Sequence, residues 1–102
     1  MAQVKWTPRA LQDIRLIHDF IAGDSREAAA QVILVVVATI QRLATFPLSG
    51  RVIPEYESRG VREVVRRPYR IAYRVVDDEV RILRVFHGAR LLHPGDLEEP
   101  NA

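Results

Sequence analysis

The sequence predicts a small α+β domain, a helical hairpin packed on a mainly antiparallel sheet with elements in the order β-α-α-β-β-β. Three observations lead there. Between Pro8 and Phe46 apolar side chains recur at helical spacing, with one interruption at Gly23. Between Val61 and Phe86 they alternate instead, and Arg67-Pro68 and Asp77-Asp78 cut the run into three pieces whose connections suit only antiparallel neighbours. The length of 102 residues, with 48% apolar and 27% charged side chains, matches one globular domain. That domain is expected over residues 1–93, with a short C-terminal tail over 94–102.

Ala2 to Trp6 alternates weakly and reads as a first strand. Thr7 can cap a following helix through its hydroxyl, and Pro8 at the first helical position gives up an N–H that had no partner there. Ala10, Ile14, Ile17 and Ile21 form one face, which Leu11, Leu16 and Phe20 widen. Gly23 is expected to end this helix in a left-handed conformation, and Asp24 with Glu27 to open the next through a capping box. The second helix runs over Ala28 to Phe46, because an apolar stretch of that length exceeds a typical strand of about six residues. Its stripe is Ile33, Val36, Val37, Ile40, Leu43 and Ala44. Val32 and Val35 fall outside it, so this helix is expected to be covered on more than one side, by the first helix and by another chain. Phe46-Pro47 closes it, and residues 48–55 read as a connecting loop.

Three strands follow, Val61–Arg66, Tyr69–Val76 and Glu79–Phe86. Alternation in the middle one places Tyr69, Ile71, Tyr73 and Val75 on the face toward the helices, and Arg70, Ala72, Arg74 and Val76 on the other. In the third, Val80, Ile82, Arg84 and Phe86 would lie opposite Arg81, Leu83, Val85 and His87. Nothing else in so short a chain is expected to cover the second face. After Arg90, Leu91-Leu92 suggests one helical turn ahead of a frayed end.

Composition excludes several classes. There is no cysteine, hence no disulfide framework, thiolate metal site or cysteine nucleophile. His18, His87 and His93 lack metal-ligand spacing, and Ser25, Ser49 and Ser58 lack a nucleophile motif. No cofactor-binding motif is present. The N-terminus has no secretory pattern, and the apolar run Val32–Ile40 is about half the ~20 residues that span a bilayer, so a cytoplasmic location without a membrane role is expected. The net charge of +2 is unevenly placed: +1 over residues 1–50, +4 over 51–90 and −3 over 91–102. Lys5 is the only lysine among fifteen basic residues, and arginine's planar fork suits carboxylates and phosphates.

The arginine-rich sheet admits two uses. Arg70, Arg74 and Arg84, together with Val32 and Val35 on the second helix, could seat an extended acidic and apolar peptide. Alternatively Arg70 and Arg90 could stabilise phosphorane charge, with His87 transferring a proton, as in a metal-independent ribonuclease. Structural roles compete for each residue. Arg70 and Arg74 can pair with Glu63, Asp77 and Asp78, and His87 can simply close its strand. Trp6 and the tyrosines read as core rather than as stacking platforms, since Tyr69 and Tyr73 share a face with Ile71 and Val75.

WTPRALQDI at the first helix, FPLSGR and IPE in the connector, REVVRRPYRIAYRV in the sheet and HGAR after the last strand together resemble the ParE/RelE superfamily of type II toxin–antitoxin toxins. The likeness covers residues 4–92. It implies a toxin with the fold above, around which the C-terminal segment of a cognate antitoxin wraps in a hetero-oligomer. That antitoxin is expected to carry a ribbon-helix-helix DNA-binding domain. In the RelE-like branch, which cleaves mRNA on the ribosome, arginines fall where Arg70 and Arg90 stand here. That branch also uses a tyrosine or similar group near the C-terminus, where this chain offers only His93. The ParE-like branch inhibits DNA gyrase by binding and needs no hydrolytic set. FPLSGR, IPE and HGAR look more like that branch, so the expectation is a gyrase-directed toxin with no catalytic residues, the ribonuclease standing as the alternative. A non-toxic module of an autoregulatory complex is a further alternative.

Overall fold

A computed structural model describes residues 1–54, 59–90 and 95–97. Glu55, Ser58, the turn expected at Leu91-Leu92, His93 and most of the tail lie outside the described residues. Strand β1 (Gln3–Trp6) leads into helices α1 (Pro8–Ala22) and α2 (Arg26–Gln41), the second prolonged by a 3-10 turn over Arg42–Ala44. Strands β2 (Arg51–Val52), β3 (Val61–Arg66), β4 (Tyr69–Val76) and β5 (Glu79–His87) follow. They form one five-stranded sheet in the order β1-β5-β4-β3-β2, with β1 parallel to β5 and every other pairing antiparallel.

The helix ends follow from local chemistry. Thr7 is extended and its hydroxyl accepts the Ala10 N–H at 3.1 Å, while the same oxygen donates to the Ile82 carbonyl at 2.8 Å. One side chain thus starts α1 and ties it to β5. Gly23 does not take the left-handed conformation expected of it: with φ −58° and ψ −33° it continues the helical turn, its N–H donating to Asp19. The cap of α2 is Ser25, one residue later than Asp24. Ser25 is extended, and its Oγ accepts the Ala28 N–H at 3.1 Å. Glu27 then sits in the first turn, where the helix dipole favours an acid. The helical run stops at Ala44, two residues short of the expected Phe46. By length and composition Arg26–Ala44 could cross a membrane. Here it lies on the sheet, with Ala29, Val36, Ile40 and Leu43 buried.

Tyr69, Ile71, Tyr73 and Val75 do face the helices, where they join Ala10, Val36, Ile40 and Leu43 in the main core. The alternation expected for β5 fails partway. A bulge opposite Ala72/Tyr73 inserts one residue, so that Tyr73 pairs with Ile82 but Ala72 with Arg84. The period resets, and Val80, Ile82 and Val85 all join the helix-facing core. Leu83 and Phe86 fall on the other face.

That second face is not left uncovered as the sequence suggested. Val61, Ala72, Leu83 and Phe86 form a second core there, closed by Ile53 from the connector and Leu97 from the tail. Leu97 is 1% exposed, and full burial of a leucine contributes about 2 kcal/mol. Its neighbours are fastened too, Gly95 accepting from Arg9 at 3.2 Å and Asp96 pairing with Arg90 at 3.2 Å. The segment 95–97 is a docked strap and not a frayed end.

The connector, read as loop, contains the two-residue β2 and is clasped to the sheet by Tyr73. The buried phenol donates to the Pro47 carbonyl at 2.8 Å and accepts the Gly50 N–H at 2.8 Å. A Cβ on residue 50 would stand 2.5 Å from that hydroxyl and 2.7 Å from the Glu63 carbonyl oxygen, which is why glycine occupies it. Burial raises the pKa of Tyr73 above its ordinary value, partly offset by the Gly50 hydrogen bond.

Tyr73→Phe leaves the Gly50 N–H and Pro47 carbonyl without their partner and should lower stability by about 1–3 kcal/mol in urea unfolding. Because the folded pKa is raised, the phenol's contribution is complete below about pH 10 and is lost as pH rises through the folded value. The stability gap between the native chain and Tyr73→Phe should therefore narrow above pH 10; a constant gap would contradict the burial argument.

Candidate functional site

Helix α2 is apolar around more of its circumference than the sheet can cover. Val35 is 36% exposed and Leu34 66%, beyond the buried stripe of Ala29, Val36 and Ile40. On the Val35 side the helix stands back from β3 and leaves two cavities in succession. One, of about 300 Å³, is lined by Val32, Val35, Val36 and Tyr69, with Gln31, Arg66 and Arg67 at its mouth. The next, of about 480 Å³, lies between Thr39, Arg42, Leu43 and Phe46 on the helical side and residues 49–51 and 63–65 on the other. Both have apolar floors and arginine rims. Phe46, Leu48 and Val65, each more than half exposed, continue the apolar surface beside them.

The opposite sheet face holds a buried carboxylate. Glu63, with no exposed side-chain surface, falls in the alternation with Val61 and Val65, and so is carried inward by the same strand geometry. Its Oε1 accepts from Arg51 Nε at 2.7 Å, and its Oε2 from Arg70 Nε at 2.8 Å and from Arg70 Nη2. Arg70 also lies 5.1 Å over the Phe86 ring. Arg70 is thus fixed by two groups, the Glu63 carboxylate and the Phe86 ring, and a third cavity of about 540 Å³ opens between it, Arg51, Val65, Arg67 and the turn at 87–89.

The sequence candidates separate. Arg84 is 7% exposed and clamps Asp13 of α1, at 2.7 and 3.0 Å, while a carboxylate oxygen of Asp13 also accepts the Val85 N–H at 2.9 Å. The Asp13 hydrogen bond raises the pKa of Arg84 above its ordinary value, so this is a charged structural pair. Arg74 is half-buried, in register with Val61 and Arg81. Val32 and Val35 line the 300 Å³ cavity.

Arg70 and His87 both border the 540 Å³ cavity, yet strand register turns their side chains to opposite faces. Strand register pairs Tyr69 with His87 and Arg70 with Phe86, and cross-strand partners share a face. His87 packs edge-on against Tyr69, on the helix-facing side, with ring centroids 6.1 Å apart. Its Nδ1 accepts the Ala89 N–H at 3.1 Å, which leaves Nε2 to carry the proton of the neutral ring. Arg70 points to the other face, and Arg90 pairs with Asp96. Among the described residues no group of three metal-ligating side chains occurs. Glu63 was foreseen only as a possible partner of Arg70. An acid in alternation with the buried Val61 and close to several arginines was the available signal. The exposed edge at Val65 had none.

The family model described as ParE toxin of type II toxin–antitoxin system, parDE, matches residues 4–92. A relative named Toxin RelE2, from Caulobacter vibrioides, is 42% identical over 92 residues, 89% of this chain and all of the relative. Among solved structures, the chromosomal ParDE toxin–antitoxin system from P. aeruginosa superposes with a TM-score of 0.69 at 28% identity, covering 85% of this chain and 96% of that one. The toxin–antitoxin complex RelBE2 from Mycobacterium tuberculosis does so at 0.65 and 27% identity, covering 84% and 96%.

Glu63→Gln strands the Arg70 guanidinium, whose side chain is 19% exposed, and should cost about 3 kcal/mol in denaturant unfolding. Arg51→Gln should cost under about 1 kcal/mol, because the Arg51 side chain is 67% exposed and the Glu63 carboxylate it leaves keeps both hydrogen bonds from Arg70. Equal losses would show that the carboxylate is not the buried anchor described.

Proposed function

The chain belongs to the ParE toxin family of type II toxin–antitoxin systems, and from that membership we propose a ParE-like toxin that binds DNA gyrase in the cytoplasm and is neutralised by a cognate antitoxin. The observation that carries a binding mechanism is that each of the three groups a nuclease would use is engaged by a structural partner. Arg70 is held by Glu63 on one face, His87 packs on Tyr69 at the other, and Arg90 is paired with Asp96. A ribosome-dependent endoribonuclease is the second reading, kept because the 42% identical relative carries the name RelE2.

Neutralisation falls to the groove beside α2. Its floor of Val32, Val35 and Tyr69 suits apolar side chains, and Arg66 and Arg67 at its rim suit acids. An acidic, apolar segment that orders on contact satisfies both, and a ribbon-helix-helix domain is the expected remainder of such an antitoxin. The resulting hetero-oligomer would hide the apolar surface that the isolated chain exposes.

Induced alone, the chain should arrest growth, and the product of the adjacent reading frame should relieve the arrest; no arrest would leave only a non-toxic module. Purified protein should block supercoiling by gyrase and leave translated mRNA intact. Codon-positioned cleavage with unaffected gyrase would overturn the assignment, and Arg70→Ala or His87→Ala would then lower cleavage by about 10²-fold. Val35→Glu, at a half-exposed site, should keep the melting temperature while weakening antitoxin binding by about tenfold or more, read by calorimetry.

A further inference from the structure

The strap that closes the second face is held by few groups. Gly95 has φ +94°, in the left-handed region that favours glycine, and Asp96 and Leu97 beyond it lie against the sheet. Leu97 fills a well between Ile53, Val61, Ala72, Leu83 and Phe86. Three arginines surround the strap. Arg9 donates to the Gly95 carbonyl at 3.2 Å, Arg90 to the Asp96 carboxylate at 3.2 Å and Arg84 to the Asp96 carbonyl at 3.4 Å. Arg9 and Arg90 are exposed, so their bonds contribute little, and the hold rests chiefly on one leucine side chain.

The well itself is built from other parts of the chain. Its walls come from the connector, β3, β4 and β5, and Arg84 is fixed from α1 by Asp13 at 2.7 and 3.0 Å. A built well with a weakly held occupant is a site at which one segment can replace another. Among the described residues Arg9 meets the strap only through a carbonyl. A segment that set a second acid against Arg9 would therefore bind more tightly than the strap does, because charge-assisted hydrogen bonds are the stronger ones. The site lies on the sheet face away from the helices, whereas the groove at Val32 and Val35 lies on the helix side, so both can be filled at once.

We propose that the Leu97 well is a peptide-acceptor site, occupied in the isolated chain by its own strap, for an extended segment of a further protein partner that carries acidic residues followed by leucine. The well reads the leucine, and Arg9 and Arg90 read the acids. The strap is a tethered competitor. Joined to Arg90 through residues 91–94, it has an effective concentration of about a millimolar, a threshold that only a segment with more contacts passes. This goes beyond the antitoxin reading and does not depend on it.

The test uses the full chain and a synthetic peptide with the sequence of residues 94–102. Leu97→Ser empties the well, and the peptide should bind that variant about tenfold or more tighter than it binds the unaltered chain, where the strap competes. Equal affinity for the two chains, or no binding to the variant, would overturn the site. Should the variant fail to fold, the unaltered chain decides: with the peptide at about 10 mM, above the strap's effective concentration, the Gly95 and Leu97 amide signals should leave their docked positions in NMR spectra. Signals that stay in place would overturn the proposal. Arg90→Gln, introduced beside Leu97→Ser, should weaken peptide binding about threefold or more, and undiminished affinity would remove the acidic half of the recognition. With the adjacent-frame protein bound, the strap signals of the unaltered chain should not move. Displacement of the strap by that protein would make it the occupant and overturn a separate partner.

Discussion

A sheet of five strands has two faces, and among the described residues helices α1 and α2 cover only one of them. The rest of the architecture answers that constraint. On the uncovered side the chain assembles a cover from small parts: Ile53 from the connector, Leu97 from the tail, and a buried carboxylate that draws two arginines across the sheet. Each part is local, but all depend on the register of β3, β4 and β5. Shifting β3 by one residue would send Glu63 toward the helices and Val64 away from them.

The same economy leaves two places unfinished, the groove beside α2 and the outer edge of β3 beyond β2. They adjoin, since the 480 Å³ cavity touches both. Their chemistry agrees as well, with apolar floors between arginines. In an isolated protein, exposed valines, Phe46 and an open edge are liabilities for self-association. On the proposed reading of a toxin held by an antitoxin they would be the surfaces that the partner hides, which gives physical sense to an incompletely covered fold.

The arginines illustrate how little a count reveals. Arg84 is a buried structural clamp that joins α1 to β5, Arg70 is a tether for Glu63, and Arg62 braces the connector by donating to the Gly50 carbonyl at 2.9 Å. Arg42, Arg51, Arg66 and Arg67 are exposed and rim the cavities. One side-chain type thus fills structural and interfacial roles within one sheet. Which role falls where depends on the direction each strand position faces and on whether an acid lies within reach.

By itself the sequence determined the elements other than β2, their order and the helix-facing stripe, because periodicity, caps and turn residues are local: Thr7-Pro8, the alternation Tyr69-Ile71-Tyr73-Val75 and the turn at Asp77-Asp78 each carry their own signal. It also carried the family, through motifs spread over residues 4–92. Only tertiary structure decided the bulge that resets β5, the burial of Glu63 and Arg84, the docking of Leu97 and the separation of Arg70 from His87. Each of these joins residues far apart in the chain, as Arg84 to Asp13, 71 positions away, shows. No local pattern encodes such a contact, because strand pairing and packing create it only when the sheet closes.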